Sequence, residues 1–260
     1  IDFLLRKGNE GIFASHPFLN KVLIWDKKKS KLTEISRILN EVRKQKYDYV
    51  INLHRFAFSG FITAFSGAKN KIGFKKNPFS FLFTQKFEHK IGNAEHEILR
   101  NHQLIAESTD DKVCKPKLYP SEKDFQKVSE YKTAKFVCIA PASVWFTKQL
   151  PLEKWVAMIQ KIPTTYKIFL LGAPSDTSLC QEIQEKSQHP SVEILAGKLS
   201  FLQSAALMQH AKMNFANDSA PLHFASAVNA PITAIFCSTV PAFVLGLCRI
   251  MLILCRLERD

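Results

Sequence analysis

The sequence predicts an α/β protein built on doubly wound parallel sheets. In the carboxy-terminal half, five short apolar strands alternate with four helices. Such alternation is typical of parallel strands joined by helical crossovers that cover both faces of a sheet. The chain has 260 residues, of which 46% are hydrophobic, and this is enough for two modest domains with separate cores.

The elements of the second half follow from apolar runs and helical spacing. The predicted strands span residues 136–140, 167–172, 193–195, 212–216 and 232–236. The predicted helices span residues 152–161, 176–186, 201–210 and 221–228. Ligands of such sheets bind outside the carboxyl ends of the strands, so the loops at that edge are where we expect a site.

The first half shows a similar alternation. Its predicted strands span residues 21–25, 47–53 and 71–74, and its predicted helices span residues 31–44, 58–65 and 95–107. The first of these helices has apolar residues at helical spacing, namely Leu32, Ile35, Ile38, Leu39 and Val42. Pro116 and Pro120 indicate a linker. We predict a first domain over residues 1–115, a linker over 116–130 and a second domain over 131–243.

Both ends of the chain are unusual for this pattern. The chain opens on an apolar, strand-like run, Ile1 to Leu5, and we expect an amino-terminal βα unit to belong before it. Residues 244–260 are rich in apolar residues without helical or alternating spacing, and Arg249 interrupts them. We interpret them as an atypical tail, truncated or out of frame, rather than as a core or interfacial helix. Both domains are then incomplete.

Cysteine usage and hydropathy indicate the cellular compartment in which the protein is expected. The six cysteines form no Cys-x-x-Cys pair, and no His-rich metal spacing accompanies them. A disulfide framework and a zinc site are therefore disfavoured, and a reducing compartment is indicated. The sequence contains no signal peptide and no apolar run of membrane-spanning length, so we expect a cytoplasmic protein.

The net charge of +13 is concentrated in the first half. Residues 1–100 contain 19 Lys and Arg against 9 Asp and Glu, which gives +10, whereas residues 101–260 contain 17 against 14, which gives +3. An acidic partner is therefore expected to meet the first half. Nucleic acid, an anionic membrane surface and a phosphorylated or carboxylated substrate all fit this charge, as does a merely solvated basic face.

The loops at the carboxyl ends of the second half's strands suit a nucleoside diphosphate. Lys148 offers charge to phosphate, Asp176 can bind ribose hydroxyls, and the turn at Asp218 can hold a pyrophosphate. No Gly-x-Gly-x-x-Gly follows a strand and no Walker loop is present, which disfavours dinucleotide oxidoreductases and P-loop ATPases. Taken singly, Asp176 is also a good helix cap and Lys148 an ordinary surface lysine, so the prediction depends on their convergence.

Residues 214–223 are predicted to run from a strand through a tight turn into a helix. Asp218 or Ser219 can cap that helix, Pro221 suits its first turn, and His223 continues it. Free backbone N–H groups and the positive end of the helix dipole then face the carboxyl edge of the sheet, where they can hold an anion.

Five short motifs follow one another in the second half. They are APAS at 140–143, TKQLPLEKW at 147–155, LLGAP at 170–174, AGKLS at 196–200 and NDSAPLH at 217–223. In this order they resemble glycosyltransferase family 9, the heptosyltransferases that build the inner core of lipopolysaccharide from ADP-heptose. INLHR at 51–55, GAKNKIGF at 67–74 and residues 96–100 resemble the acceptor domain of that family. The resemblance covers about residues 1–243.

The resemblance implies a GT-B architecture, in which two Rossmann-like domains flank the active site. It places the nucleotide sugar in the second domain and the lipid-linked acceptor, an acidic lipopolysaccharide core at the inner membrane surface, in the first. It implies inverting transfer without a metal ion or cofactor, in a cytoplasmic protein that can associate with that membrane. The implied contacts are Ser143 and Lys148 to the diphosphate, Asp176 to the ribose, Leu199 to the adenine side, and Asp218, Ser219, Ala220 and His223 to the sugar–phosphate end.

Three features depart from the family pattern. Ala220 stands where the family usually has glycine, which restricts how closely the backbone approaches phosphate. The acidic base is expected upstream of Ile1, so we assign no catalytic base. The family's last strands and helices are expected after Phe243. We therefore expect this polypeptide alone to be inactive.

Two other classes of function stay open. A nucleotide-sugar binding or epimerase-like GT-B protein would keep the same loops in the second half and differ in the first. A nucleic-acid binder would explain the basic first half, but its basic residues are scattered, and Phe79, Phe81 and Phe83 alternate with apolar neighbours instead of forming a stacking platform. No nucleic-acid partner is therefore expected.

Overall fold

The computed structural model describes residues 1–90, 96–110 and 112–238, and the backbone of residues 250–254. The chain forms two compact units. The first unit comprises Ile1–Glu10 and Phe18–Cys114, and the second comprises Gly11–Pro17 and the chain from Lys115 onward. The short segment Gly11–Pro17 belongs to the second unit because Ile12 packs against that unit's core.

The first unit contains five strands and three helices among its described residues. The strands are β1 (Asp2–Arg6), β2 (Lys21–Trp25), β3 (Tyr49–Asn52), β4 (Asn70–Phe74) and β5 (Gln85–Phe87). The helices are α1 (Lys31–Gln45), α2 (Ala57–Phe65) and α3 (Glu97–His102). Strand β1 pairs with β2, and β3, β4 and β5 pair in that order, all in parallel.

Helix α1 buries one stripe of its surface. Ile38 and Val42 pack with Leu23 of β2 and Ile62 of α2 in one apolar cluster. Leu32, which helical spacing predicts on the same face, is 79% exposed. The buried stripe therefore begins one turn later than the sequence pattern indicates.

In the first unit the structure corrects one prediction and adds one strand. The predicted helix over residues 95–107 is too long, because α3 ends at His102 and a separate 3₁₀ turn follows at Ala106–Ser108. Residue 95 lies outside the described residues. Strand β5 was not predicted, since three residues are too few to show a period.

The second unit contains one parallel sheet with helices on both faces. Its strands are β6 (Phe136–Ala140), β7 (Lys167–Leu170), β8 (Val192–Ile194), β9 (Met213–Asn217), β10 (Ile232–Phe236) and β11 (Ile250–Leu254). Its helices are α4 (Glu122–Lys127), α5 (Leu152–Gln160), α6 (Thr177–Ser187), α7 (Phe201–His210) and α8 (Ala220–Ala227). The strand order is β11-β10-β9-β6-β7-β8.

The double winding is visible in strand β6, whose five residues are all buried. Successive side chains of a strand point to opposite faces. Val137 and Ile139 join a core built with α5 and α6, whereas Phe136 and Cys138 join a core built with α7 and α8. A strand covered on both faces must be apolar throughout, which is why a continuous apolar run predicts it correctly.

The residues predicted as a linker, 116–130, carry structure of their own. Helix α4 starts with a capping box, in which Ser121 and Asp124 each bind the other's backbone N–H. Val128 is fully buried in the core of the second unit. The chain passes from the first unit to the second between Cys114 and Lys115. We keep the predicted domain limits as a proposal.

The predicted atypical tail over residues 244–260 contains a strand. Strand β11 pairs in parallel with β10, with Ile232 opposite Ile250 and Phe236 opposite Leu254. This corrects the expectation that the tail does not belong to the fold. Residues 244–249 and 255–260 lie outside the described residues.

Candidate functional site

The candidate site lies at the carboxyl ends of β6 and β9. These strands are parallel neighbours, and Ala140 lies opposite Ala216 near their ends. The 141–150 loop, which follows β6, therefore starts beside the turn that follows β9. The strand order thus brings together two motifs that are far apart in the sequence.

Asn217, the last residue of β9, ties this loop to the sheet. Its side chain is fully buried. The amide Nδ2 donates to the carbonyl oxygen of Pro141 over 2.6 Å, and Oδ1 accepts from the backbone N–H of Leu150 over 3.0 Å. One side chain therefore holds both ends of the 141–150 loop.

Lys148 and Asp218 form an ion pair across the two loops. The Lys148 Nζ lies 2.6 Å from Asp218 Oδ2, and the two side chains are 25% and 13% exposed. Lys148 ends a 3₁₀ turn, Phe146–Lys148. Gln149 Nε2 donates to the carbonyl oxygen of Ser143 over 2.6 Å, which closes the loop around that turn.

Helix α8 begins at Ala220, two residues after Asp218. Ser219 is its N-cap residue with an extended backbone, its side chain makes no capping hydrogen bond, and its hydroxyl instead donates to the carbonyl oxygen of Asn217 over 3.3 Å. Ala220 is exposed and His223 is half-buried in the first turn of the helix. An ammonium group and the amino end of a helix therefore lie at adjacent positions, an arrangement that favours anions.

Asp176 is engaged by its own loop. Its Oδ2 accepts from the backbone N–H of Ala173 over 2.8 Å, and its Oδ1 accepts from the Ser175 hydroxyl over 3.2 Å. A side chain at Gly172 would approach Asp176 within 2.9 Å. Asp176 is the N-cap residue of α6, but its side chain makes no capping hydrogen bond to that helix and instead closes the 3₁₀ turn, Pro174–Asp176, that precedes it.

The loop before α7 packs on the loop that holds Asp176. Gly197 donates its N–H to the carbonyl oxygen of Gly172 over 2.9 Å. Its φ of +75° and the 3.0 Å approach that a Cβ would make to Pro174 both require glycine. Leu199 is half-buried against the core of the second unit. Asp176 and Leu199 thus lie on two loops that are bonded together.

Two features of the site were not predicted from the sequence. Asn217 was part of a motif but was not assigned a role; the only available signal was an amide residue at the end of an apolar strand. The other is the tip of the 141–150 loop, where Val144, Trp145 and Phe146 are 95%, 67% and 86% exposed.

The described part of the chain offers neither a metal cluster nor a membrane span. Within it, no three His, Cys, Asp or Glu side chains are grouped so that they could hold a metal ion. No helix formed by these residues is both long enough and apolar enough to cross a membrane.

Comparisons with known proteins agree on one family. The sequence model of Glycosyltransferase family 9 (heptosyltransferase) matches residues 35–256. The match extends past residue 243, where the motif-based resemblance ends. Lipopolysaccharide heptosyltransferase 3 of Escherichia coli is 27% identical over 254 residues, which cover 92% of this chain and 75% of that protein.

Two solved structures share the fold. The ADP-heptose lipopolysaccharide heptosyltransferase II of E. coli matches with a TM-score of 0.81 and 19% identity, over 97% of this chain and 80% of that one. The E. coli heptosyltransferase WaaC with ADP matches with a TM-score of 0.75 and 18% identity, over 98% and 80%. These similarities confirm the predicted α/β fold of the GT-B class. Because the family model covers most of its length, this chain belongs to glycosyltransferase family 9, the heptosyltransferases.

Proposed function

We propose that this chain transfers a heptose from ADP-heptose to the inner core of lipopolysaccharide, with inversion at the anomeric carbon and without a metal ion. Membership of the heptosyltransferase family supports the sugar. The E. coli relative is named as a lipopolysaccharide heptosyltransferase, which supports the acceptor. A structural neighbour was solved with ADP, which supports the donor.

The observation that carries the proposal is the Lys148–Asp218 pair at the start of α8. When the bond between the sugar and the donor diphosphate breaks, negative charge develops on the leaving diphosphate. A fixed ammonium and the N–H groups of a helix end stabilise such charge, and they do so without the reorganisation that water requires. The same two groups can take the place of a divalent ion.

The roles of the individual residues extend this proposal. Ser143 and Lys148 contact the diphosphate, and Leu199 contacts the adenine side. Asp218, Ser219, Ala220 and His223 contact the sugar–phosphate end. Asp176 binds a ribose hydroxyl, because a carboxylate offers about four acceptor positions and its local contacts use two of them.

The first unit is proposed to receive the acceptor. Residues 1–100 carry a charge of +10, and a phosphorylated, carboxylated saccharide core presents the opposite charge. The acceptor would be offered at the inner membrane surface. We assign no catalytic base.

The test combines a transfer assay with binding measurements in a full-length context, because we expect this polypeptide alone to be inactive. The expected results are transfer of heptose from ADP-heptose to a truncated lipopolysaccharide acceptor, an inverted anomeric centre by NMR, unchanged activity with EDTA, and calorimetric binding of ADP in preference to NAD. Equal or tighter binding of NAD contradicts the donor assignment. A loss of activity with EDTA that is restored by a divalent ion contradicts the metal-free mechanism.

The same incubations separate transfer from the alternative function. An epimerase-like protein would convert the free ADP-sugar to its epimer and leave the acceptor unchanged. Analysis of the sugar nucleotide after incubation without acceptor detects that product.

A further inference from the structure

Asn217 is a buried side chain at the end of a strand that makes hydrogen bonds to both ends of one loop. Both of its polar atoms bind backbone groups of the same loop, at Pro141 and at Leu150. A buried amide must satisfy its donor and acceptor groups, and here both are satisfied by the 141–150 loop. The position of that loop is therefore fixed relative to β9 by one residue.

The loop carries Ser143 and Lys148, and the residue after Asn217 is Asp218. Lys148 is thus held twice, by its ion pair with Asp218 and through the backbone that Asn217 holds. Leu150 lies two residues beyond Lys148, so a shift of the Leu150 backbone displaces the ammonium directly. An error of about 1 Å in the position of such a group can cost about a hundredfold in rate.

We propose that Asn217 is a positioning residue for the transfer reaction, whose amide holds the 141–150 loop so that Lys148 meets the donor diphosphate. This inference rests on the proposed function. Asn217 is fully buried, and its side chain is engaged by the loop backbone. It acts through Lys148, so its effect must disappear when Lys148 is absent.

The chain offers a matched control on the same strand. Asn214 is also fully buried, and its Nδ2 donates to the carbonyl oxygens of Met208 and Pro231 over 3.0 and 2.8 Å. Those contacts lie toward the amino end of β9, away from the 141–150 loop. Asn214→Ala therefore removes a similar buried amide without touching the candidate site.

The experiment compares Asn217→Ala with Asn214→Ala in the same full-length context as the transfer assay. We expect both to lower the melting temperature, Asn217→Ala to lower kcat/KM at least about tenfold, mainly through kcat, and Asn214→Ala to lower it less than about threefold. In a Lys148→Ala background, Asn217→Ala should lower the remaining kcat/KM less than about threefold. Equal losses for the two asparagines, or full additivity with Lys148→Ala, would overturn the proposal.

Hydrogen exchange separates this inference from the proposed function. Asn217→Ala should speed backbone exchange in residues 141–150, and Asn214→Ala should not. If the wild-type chain neither transfers heptose nor binds ADP, the proposed function fails, and exchange still decides whether Asn217 holds the loop. Unchanged exchange in the loop refutes that claim.

A second pair of variants applies if Asn217→Ala does not fold. Asn217→Asp keeps the acceptor for Leu150 and loses the donor to Pro141, and Asn214→Asp is its control. The same criteria for activity and exchange apply to this pair.

Discussion

Lys148 Nζ lies 2.6 Å from Asp218 Oδ2, although 70 positions separate the two residues in the chain. Both side chains are partly shielded, so salt screens this pair less than a fully exposed one. In the proposed function, the ammonium that meets the donor therefore has an anionic partner before the donor arrives. When the donor binds, its diphosphate then replaces the Asp218 carboxylate as the partner of the Lys148 ammonium.

Replacing Lys148 tests the role of this charge. We expect Lys148→Ala to lower kcat/KM for transfer by roughly ten- to a thousandfold, or about 1.4 to 4 kcal/mol, because one preorganised group that stabilises the leaving diphosphate is lost. Steady-state kinetics with ADP-heptose measures the effect. Lys154→Ala is the control, since Lys154 is an exposed lysine on the nearby helix α5. A loss below about threefold for Lys148→Ala would make it an ordinary surface lysine.

Gly60 in α2 tests the packing around a buried asparagine of the first unit. A Cβ at Gly60 would lie 1.9 Å from Asn77 Oδ1. Asn77 is 2% exposed and donates to the carbonyl oxygens of His54 and Phe56 over 3.0 and 3.1 Å. Helix propensity favours alanine by about 0.5–1 kcal/mol, but overpacking typically costs about 1–3 kcal/mol and displaces these bonds.

We therefore expect Gly60→Ala to destabilise the first unit, by about 1–3 kcal/mol in urea unfolding. Gly11→Ala is the control, because the nearest heavy atom to its new Cβ is 3.9 Å away. Its effect should stay within about 0.5 kcal/mol. A neutral or stabilising Gly60→Ala would show that Asn77 does not hold the 54–56 backbone as the structure describes.

The carboxylate of Glu34 makes the stability of the first unit depend on pH. Hydrogen bonds from the Arg37 guanidinium, and next from the Asp26 backbone N–H, lower the pKa of this 1% exposed carboxyl from 4.5 to about 2. Because the folded pKa is lowered, the stabilisation is fully present above pH 4.5 and is lost as the pH falls toward 2.

Urea unfolding of the wild-type chain and Glu34→Gln, followed from pH 7 to pH 2.5, measures this contribution. The wild-type chain should be more stable at pH 7, and its advantage should shrink steadily below about pH 4.5. Glu185→Gln changes an exposed carboxyl on α6 and should show no such convergence. A wild-type advantage that persists undiminished to pH 2.5 contradicts the role of the ionised Glu34.

Thiol labelling tests the cores of the second unit. Burial raises the pKa of the Cys138 thiol far above its usual range, and burial together with the nearby charge of Asp176 raises the pKa of Cys180 to about 12. Thiolates are the reactive form, so both should resist iodoacetamide at pH 8. The exposed Cys114 should react. Peptide mass spectrometry, with the urea-unfolded chain as the fully labelled reference, gives the result; rapid labelling of Cys138 in the folded chain contradicts the described core.

The sequence predicts those parts of the fold that have a clear period. Residues 136–140, 201–210 and 232–236 match their elements, because the two strands are buried along their whole length and apolar except at Thr233, and helix α7 has a Ser200 cap. Leu32 fits the helical period and is nevertheless 79% exposed, whereas Glu34 in the same first turn of α1 is buried. A period shows which residues share a face and cannot show where the neighbouring element ends.

The candidate site is predictable in part for a related reason. Lys148 and Asp218 follow from the rule that ligands bind at the carboxyl ends of parallel strands. Their direct contact depends on β9 lying next to β6, and strand order is not written in local sequence. Asn217 has the same dependence, because its partners Pro141 and Leu150 belong to another strand's loop. As ligand contacts, all the predicted site residues remain predictions, Lys148 and Asp218 as much as Asp176 and Leu199.

The adjacency of β6 and β9 also has a consequence for biosynthesis. Strands β7 and β8 lie between them in the sequence, so a chain still emerging from the ribosome has made Lys148 long before Asp218 exists. Closing such a long loop is entropically costly and comes late in folding. The proposed donor site therefore forms in one step, when β9 docks.

From then on, a ligand bound at this site stabilises the whole second sheet, and the stabilisation grows with the ratio of ligand concentration to Kd. Donor supply would therefore help to decide how much of the newly made chain stays folded.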